Sequence, residues 1–311
     1  MSSIIQVDNL VKRYKKASRN SVDEISFEVE EGSFFAFLGP NGAGKTTTIS
    51  ILTTTLTKTS GKVKIAGYDL DKDQANIRKE IGIIFQNPTL DLNLSAEENI
   101  RVHVGLYKTY PFMPLYSMMS HEYRTRVEEL ALLLQLDGDL HKPVKTYSGG
   151  MKRKLEILRS LMHNPKILFL DEPTTGLDPV SRKAVWDYLQ HIRKSENITV
   201  FLTTHYLEEA EGADQVVILN KGKIVHNDTP ENIKDTLTDS KLVMVGSDNM
   251  KLEKELKDMK LDFSYDGFRY TVDINDTVNI QDVIKGIDTK LNSIRIHQPT
   301  LEEAYIKIVN E

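Results

Sequence analysis

The chain contains no cysteine. Disulfides, thiolate nucleophiles and cysteine-ligated zinc are therefore excluded, a composition that suits a reducing compartment. Long hydrophobic runs are missing too. A bilayer-spanning helix needs about 20 apolar residues, whereas the longest runs, such as Ile167–Leu170, are strand-sized. The chain is therefore not expected to form a membrane pore by itself. The N-terminal Met1-Ser2-Ser3-Ile4 has no signal-peptide pattern. Excess positive charge is also lacking: 40 Lys and Arg stand against 45 Asp and Glu, a net charge of −5. A general nucleic-acid binder is usually basic, so no nucleic-acid partner is expected. Internal repeats and low-complexity segments are absent.

What is present fits an ordinary globular chain. The 311 residues are 40% hydrophobic and 27% charged, with room for one large domain and one small one. The most informative stretch is Gly39-Pro40-Asn41-Gly42-Ala43-Gly44-Lys45-Thr46, which fits the phosphate-loop pattern G-x-x-x-x-G-K-[ST]. An apolar strand, Phe34–Leu38, precedes it and a helix is expected after it. Glycines permit the tight turns that aim backbone N–H groups at phosphate oxygens, and the helix adds the positive end of its dipole. Lys45 can reach β- and γ-phosphates, and the Thr46 hydroxyl can ligate Mg²⁺. Seven of the thirteen residues from 45 to 57 are Thr, a β-former. Loop geometry still argues for a helix over this whole stretch against propensity.

Residues 4–36 alternate polar and apolar with turn signals at 17–20 and 31–32, which predicts antiparallel strands, with another at Lys62–Ala66. Residues 92–140 have helical spacing, clearest at Glu122–Leu136. Within them Tyr107–Met119 is rich in Met and aromatics, and its two prolines break any helix. Strand-sized runs return at Ile167–Leu170, Thr199–Leu202 and Gln215–Leu219, separated by helical segments, an α/β pattern. Thr229-Pro230 reads as the start of a short helix closing a main domain over residues 1–235. Asp235–Ser240 reads as a linker. Residues 241–311 then follow the order β-α-β-β-α-β with a final helix, a split βαβ unit forming a small α+β domain.

Two further groups carry chemistry. Ile167–Leu170 runs into Asp171 and Glu172. Asp171 fits a Mg²⁺-holding acid, and Glu172 is placed to take a proton from an attacking water. Ser148-Gly149-Gly150-Met151 precedes a helix expected from near Lys152 and offers a second anion site. A single chain rarely folds two such sites onto one phosphate, whereas a second copy arranged head to tail can supply one.

In motif order and spacing, residues 4–232 resemble the nucleotide-binding subunit of an ATP-binding-cassette (ABC) transporter. Gly39–Thr46 matches the family's Walker A loop, Gln86 its Q-loop, Tyr147–Met151 its signature, and Asp171 with Glu172 its Walker B pair. Gly176–Pro179 matches the D-loop, His205 the switch histidine, and Tyr14 the aromatic residue that stacks on adenine. The resemblance implies a P-loop NTPase core of RecA-like fold with antiparallel β and α-helical subdomains, binding ATP and Mg²⁺. It assigns the phosphates to Lys45 and to the backbone from Asn41 through Gly42, Ala43 and Gly44 to Thr46 and Thr47. It assigns the metal and its water to Thr46, Gln86 and Asp171, the base to Glu172, and the γ-phosphate contact to His205. Ser148, Gly149 and Gly150 would complete the site across a dimer. Met151 departs from the commonest signature, which has Gln there, and Tyr147 from Leu. That form is similar to the drug- and antibiotic-export branch, as are Ile51–Thr54 and Pro299–Tyr305. The implied partners are a second ATPase subunit, identical or related, and a polytopic permease. The implied location is the cytoplasmic face of the cell membrane, held through that permease. Tyr107–Met119 is the candidate permease contact, with an internal packing loop as its alternative. Alternatives for the whole chain are a soluble ABC ATPase of translation or DNA repair and an importer ATPase.

Overall fold

The structure, a computed structural model, describes residues 2–237, 240–274 and 278–310. Contacts divide the chain into two compact units, Met1–Thr229 and Pro230–Glu311.

The first unit is built on a six-stranded sheet. Its order is Lys223–Asp228, Gln215–Asn220, Phe34–Leu38, Thr199–Thr204, Ile167–Asp171, Ile81–Ile84. Neighbours are parallel except for the antiparallel hairpin at the Lys223–Asp228 edge. The strands Phe34–Leu38, Ile167–Asp171 and Thr199–Thr204 are buried at every position, as strands covered on both faces must be. Their register pairs Leu38 with Thr204 and Asp171 with Thr203. Three strand ends therefore lie level along one edge of the sheet.

A four-stranded antiparallel sheet packs on this core in the order Val22–Glu30, Ser3–Lys12, Ser60–Ile65, Tyr68–Asp69. Phe27 joins the two sheets, with its ring 5.4 Å from Phe35, 5.5 Å from Phe37 and 6.2 Å from Phe201. Phe201 in turn meets Phe35 at 4.8 Å and Phe169 at 5.2 Å. Burial of each such ring contributes about 1.5–3 kcal/mol, so this cluster anchors the strand that carries the phosphate loop.

Helices Ala96–Tyr107, His121–Leu133 and Gly149–Leu161 form the helical part. The first starts with a reciprocal cap between Ser95 and Glu98. The second stops at Leu133 rather than at Leu136, and Gln135, at φ 56°, turns the chain away just beyond it. Tyr107 stacks on His163 at 4.5 Å and meets His103 at 4.6 Å, and burial pushes the His103 imidazole down to about 3. Of the Met- and aromatic-rich stretch, Tyr110 and Met119 are buried, while Phe112, Met113, Leu115 and Met118 are exposed.

The helix after the phosphate loop is shorter than expected, covering Lys45–Leu52. Four of the seven threonines fall beyond it. The Thr53 and Thr55 hydroxyls donate to the carbonyls of Ile49 and Ser50, each at 2.8 Å, and Thr54 sits at φ 63°. Those hydroxyls take the terminal carbonyls and end the helix.

The second unit has an antiparallel sheet in the order Phe263–Tyr265, Tyr270–Ile274, Ser240–Gly246, Leu291–His297. Helices Asn249–Asp258 and Ile280–Lys285 interleave in the split βαβ order. Its own core gathers Leu242, Met244, Leu252, Leu256, Tyr270, Val272 and Val283. Helix Pro230–Leu237 packs on Leu301–Asn310 and so belongs to this unit, not to the end of the first domain as the sequence suggested. Asp235 lies in that helix and Ser240 starts a strand, so the expected linker is not a loop at its ends; its middle, Thr238 and Asp239, lies outside the described residues. Among the described residues, no helix is long and apolar enough to cross a membrane.

Because each unit encloses its own apolar cluster, a chain truncated after Thr229 is expected to stay soluble and to unfold in one cooperative transition. Circular dichroism melting checks this; aggregation of the truncated chain would mean that residues 230–311 complete the first core.

Candidate functional site

The level strand ends place three loops side by side. After Leu38 the chain wraps through Gly39–Gly44 and enters the helix at Lys45. Gly44, at φ 113°, closes the turn, and a Cβ there would lie 2.5 Å from the Ser21 carbonyl. Glycine is therefore required both by conformation and by space. The loop is braced by Ala43 N–H to Pro40 O at 3.1 Å and Gly222 N–H to Ala43 O at 2.9 Å. N–H groups of the first helical turn have no intrahelical acceptor and remain available to an anion.

A cavity of about 430 Å³ opens over this loop, lined by Ser21, Asn41, Gly42, Gly44, Lys45, Thr46, Thr47, Gln86 and Glu172. Lys45 is 5% exposed, and its ammonium donates to Gly39 O at 2.6 Å and Pro40 O at 3.2 Å. Burial pulls its pKa down, and the carboxylates of Glu172 and Asp171 oppose that shift. Thr46 Oγ1 donates to Asp171 Oδ1 at 3.4 Å, and Thr203 Oγ1 to the same oxygen at 2.6 Å. Burial pushes the Asp171 carboxyl up; the Thr203 hydrogen bond acts against it.

Glu172 leaves the strand at φ 46°, a left-handed conformation that costs a non-glycine residue about 1–3 kcal/mol. Its N–H donates to Thr203 O at 3.0 Å. On Glu172 Oε2 converge Gln86 Nε2 at 3.1 Å, Thr175 Oγ1 at 3.3 Å and His205 Nδ1 at 3.3 Å. Gln86 thus meets Glu172, while Thr46 and Asp171 meet each other. The His205 ring packs on Tyr206 at 4.1 Å, over which the Arg182 guanidinium lies at 4.0 Å. Tyr14 is 44% exposed, with its hydroxyl 3.3 Å from Thr47 Oγ1.

The glycine signature lies elsewhere. Ser148 caps the helix Gly149–Leu161, its Oγ accepting the Met151 N–H at 3.2 Å. The helix begins at Gly149, three residues before the expected start, so both glycines belong to its first turn. Gly150 abuts Ser181 after the D-loop: a Cβ there would come 3.0 Å from Ser181 Oγ. Ser148, Gly149 and Gly150 are not among the residues lining the cavity over the phosphate loop.

Several site residues escape sequence reasoning. Thr203 anchors Asp171, and buried Glu209 accepts hydrogen bonds from Thr174 Oγ1 and, at 2.5 Å, from Thr204 Oγ1, tying the loop after Glu172 to the strand before His205. Arg153 reaches the carbonyls on both sides of the Gln86–Glu172 contact. Only the parallel register could have flagged Thr203, and nothing local marks Glu209 or Arg153 in the sequence.

The profile of the family described as ABC transporter matches residues 22–175. Daunorubicin resistance ATP-binding protein DrrA3 of Streptomyces coeruleorubidus is 36% identical over 231 residues, covering 74% of this chain and 69% of that protein. Doxorubicin resistance ATP-binding protein DrrA of Mycobacterium tuberculosis is 36% identical over 250 residues, covering 80% and 72%. Among solved structures, the dimeric ATP-binding cassette MJ0796 in a post-hydrolysis state with ADP and Pi superposes with a TM-score of 0.63 at 25% identity, covering 72% of this chain and 98% of that one. With these matches laid over the loop, acid pair and signature described above, the chain belongs to the ABC transporter family.

Proposed function

We propose that this chain is the ATP-hydrolysing subunit of an ABC exporter, acting as a pair of copies beneath a separate membrane permease. The observation that carries the reading is one cavity over the phosphate loop lined by Lys45, Thr46, Gln86 and Glu172, with Asp171 bonded to Thr46 and His205 to Glu172 behind that lining. The residues fit a magnesium nucleotide. A hydroxyl and a buried carboxylate 3.4 Å apart are hard oxygen donors of the kind Mg²⁺ takes beside phosphate. Gly39 and Gly44 let the loop fold this tightly, since a Cβ at either would lie 2.5 Å from a carbonyl, of Leu219 and Ser21 respectively.

In this reading Lys45 leaves its two carbonyls for the β- and γ-phosphates, and the backbone from Asn41 to Thr47 cradles them. Tyr14 stacks on the adenine ring. Thr46 and Asp171 hold Mg²⁺, which supplies neutralisation of phosphate charge when bound. Glu172 takes the proton from a water that attacks the γ-phosphorus while the bond to the bridging oxygen breaks. Gln86 and Thr175 orient that carboxylate by donating to it, and His205 contacts the γ-phosphate from the opposite loop. The Ser148-capped turn offers the hydroxyl and helix N-terminus that meet the nucleotide of a second copy. Closure on two nucleotides and reopening after hydrolysis then shift the permease between states.

Relatives named for daunorubicin and doxorubicin resistance support export of a drug, antibiotic, peptide or lipid-like compound. Exposed Phe112, Met113, Leu115 and Met118 support Tyr107–Met119 as the permease-facing segment, since adaptable apolar groups suit a partner surface. Residues 230–311 are an accessory domain, and the chain works at the cytoplasmic face of the membrane.

Replacing the base tests the chemistry directly. Glu172→Gln is expected to retain ATP, to trap the closed dimer and to lower turnover by on the order of 10²-fold or more; steady-state hydrolysis at the wild-type rate would remove Glu172 from the reaction. Lys45→Ala acts earlier, and ATP affinity itself should fall in an equilibrium titration, whereas unchanged affinity contradicts the phosphate role. The shared site has its own test. Ser148→Arg puts a bulky cation into a turn built from glycine backbone, so ATP binding to one chain should survive while ATP-driven dimerisation, followed by light scattering, and hydrolysis are both lost. Normal hydrolysis by Ser148→Arg would leave no role for a second copy.

A further inference from the structure

The helix Gly149–Leu161 carries more than the Ser148 turn. Arg153, Glu156 and Arg159 are spaced by three, so they share one face of it. Arg153 and Glu156 are 5% and 1% exposed, and their ion pair measures 2.8 Å. Arg153 also donates from Nη1 to Phe85 O at 2.7 Å, from Nη2 to Glu172 O at 3.4 Å and from Nε to Pro173 O. Phe85 immediately precedes Gln86. One planar fork therefore holds the backbone of Gln86's loop and the backbone of Glu172 itself, and the side chains of those two residues meet 3.1 Å apart. Further along the same face, Glu156 accepts the Thr89 N–H at 2.9 Å, and Arg159 donates to Thr89 O at 3.0 Å.

We infer that Arg153 is a positioning residue for hydrolysis, through which the helix begun by Ser148 sets the placement of Gln86 against Glu172. The arrangement needs the guanidinium. Carbonyls from two separate loops point at one buried spot, and only a rigid fork with several donors reaches both while pairing with Glu156. A lysine supplies one movable point of contact. Any displacement of the helix carries these three carbonyls with it, and hence the atoms around Glu172 Oε2. The link to a second copy rests on the proposed reading of Ser148–Gly150; the positioning of Gln86 and Glu172 within one chain does not.

The test uses the full chain. Arg153→Gln alone leaves the Glu156 carboxylate buried without its cation and risks misfolding, so the Arg153→Gln/Glu156→Gln double variant, which removes both charges, is made beside Arg153→Lys. Lys45 and the phosphate loop are untouched, so ATP affinity by equilibrium titration should hold within about twofold, while kcat of the double variant falls by on the order of 10-fold or more, as misplacement of reacting groups does. Arg153→Lys should recover part of kcat. Wild-type kcat in the folded double variant overturns the inference, as does a kcat that falls only in step with ATP affinity and the folded fraction in a thermal melt. If Ser148→Arg hydrolyses normally but the double variant is slow, the shared-site reading fails and the positioning role stands. If Ser148→Arg is inactive and the double variant is unimpaired, the positioning role fails alone.

Discussion

The site depends on one constraint, the parallel register of three buried strands. Leu38 opposite Thr204 and Asp171 opposite Thr203 put Gly39, Glu172 and His205 just past one edge of the sheet. A slip of one residue in the Ile167–Asp171 strand would turn Asp171 from Thr46 to the other face of the sheet. The phenylalanine cluster resists such a slip, because Phe169 and Phe201 meet only when their strands are in this register, and Phe27 of the second sheet packs against the same rings. Packing far from any polar group thus fixes the distances between the polar ones.

Charge at this edge is expensive, and the structure shows how it is held. Lys45, Asp171 and Glu172 are all nearly buried. Burial works against the charged forms of Lys45 and Asp171, while attraction between the ammonium and the two carboxylates works for them. Two loop carbonyls and the hydroxyls of Thr46 and Thr203 supply the remaining hydrogen bonds. A polyanion entering the cavity would offer Lys45 a better partner than those carbonyls, so the groups are already placed and need only exchange partners.

Much of this was legible in the sequence because the relevant signals are local. The phosphate loop, the acid pair after an apolar run and the alternating strands of the second unit depend on neighbours a few residues apart. Element ends were less legible: Thr53 and Thr55 ended the phosphate-loop helix early by bonding back to it, and Gly149 joined the next helix because Ser148 caps it. The local sequence ties helix Pro230–Leu237 to the first domain, whereas its packing partner, Leu301–Asn310, lies some seventy residues away in sequence. The same holds inside the site. Thr203, Glu209 and Arg153 act through contacts between elements distant in the chain, and the tertiary fold alone reveals those.

The position of the signature helix gives the arrangement its logic. Its N-terminal turn stands apart from the cavity lining, yet Arg153 and Glu156, one and two turns on, are bonded to the loops that bear Gln86 and Glu172. A group that engages the Ser148 turn therefore acts on this chain's own Glu172 through a rigid rod with a buried ion pair, not through a flexible loop. Helices transmit displacement with little loss because their backbone bonds are internal, and packed interiors shift between discrete arrangements in place of deforming continuously. In the proposed reading, chemistry at one cavity and recognition at the N-terminal turn of one helix are joined by side chains that line neither the cavity nor that turn.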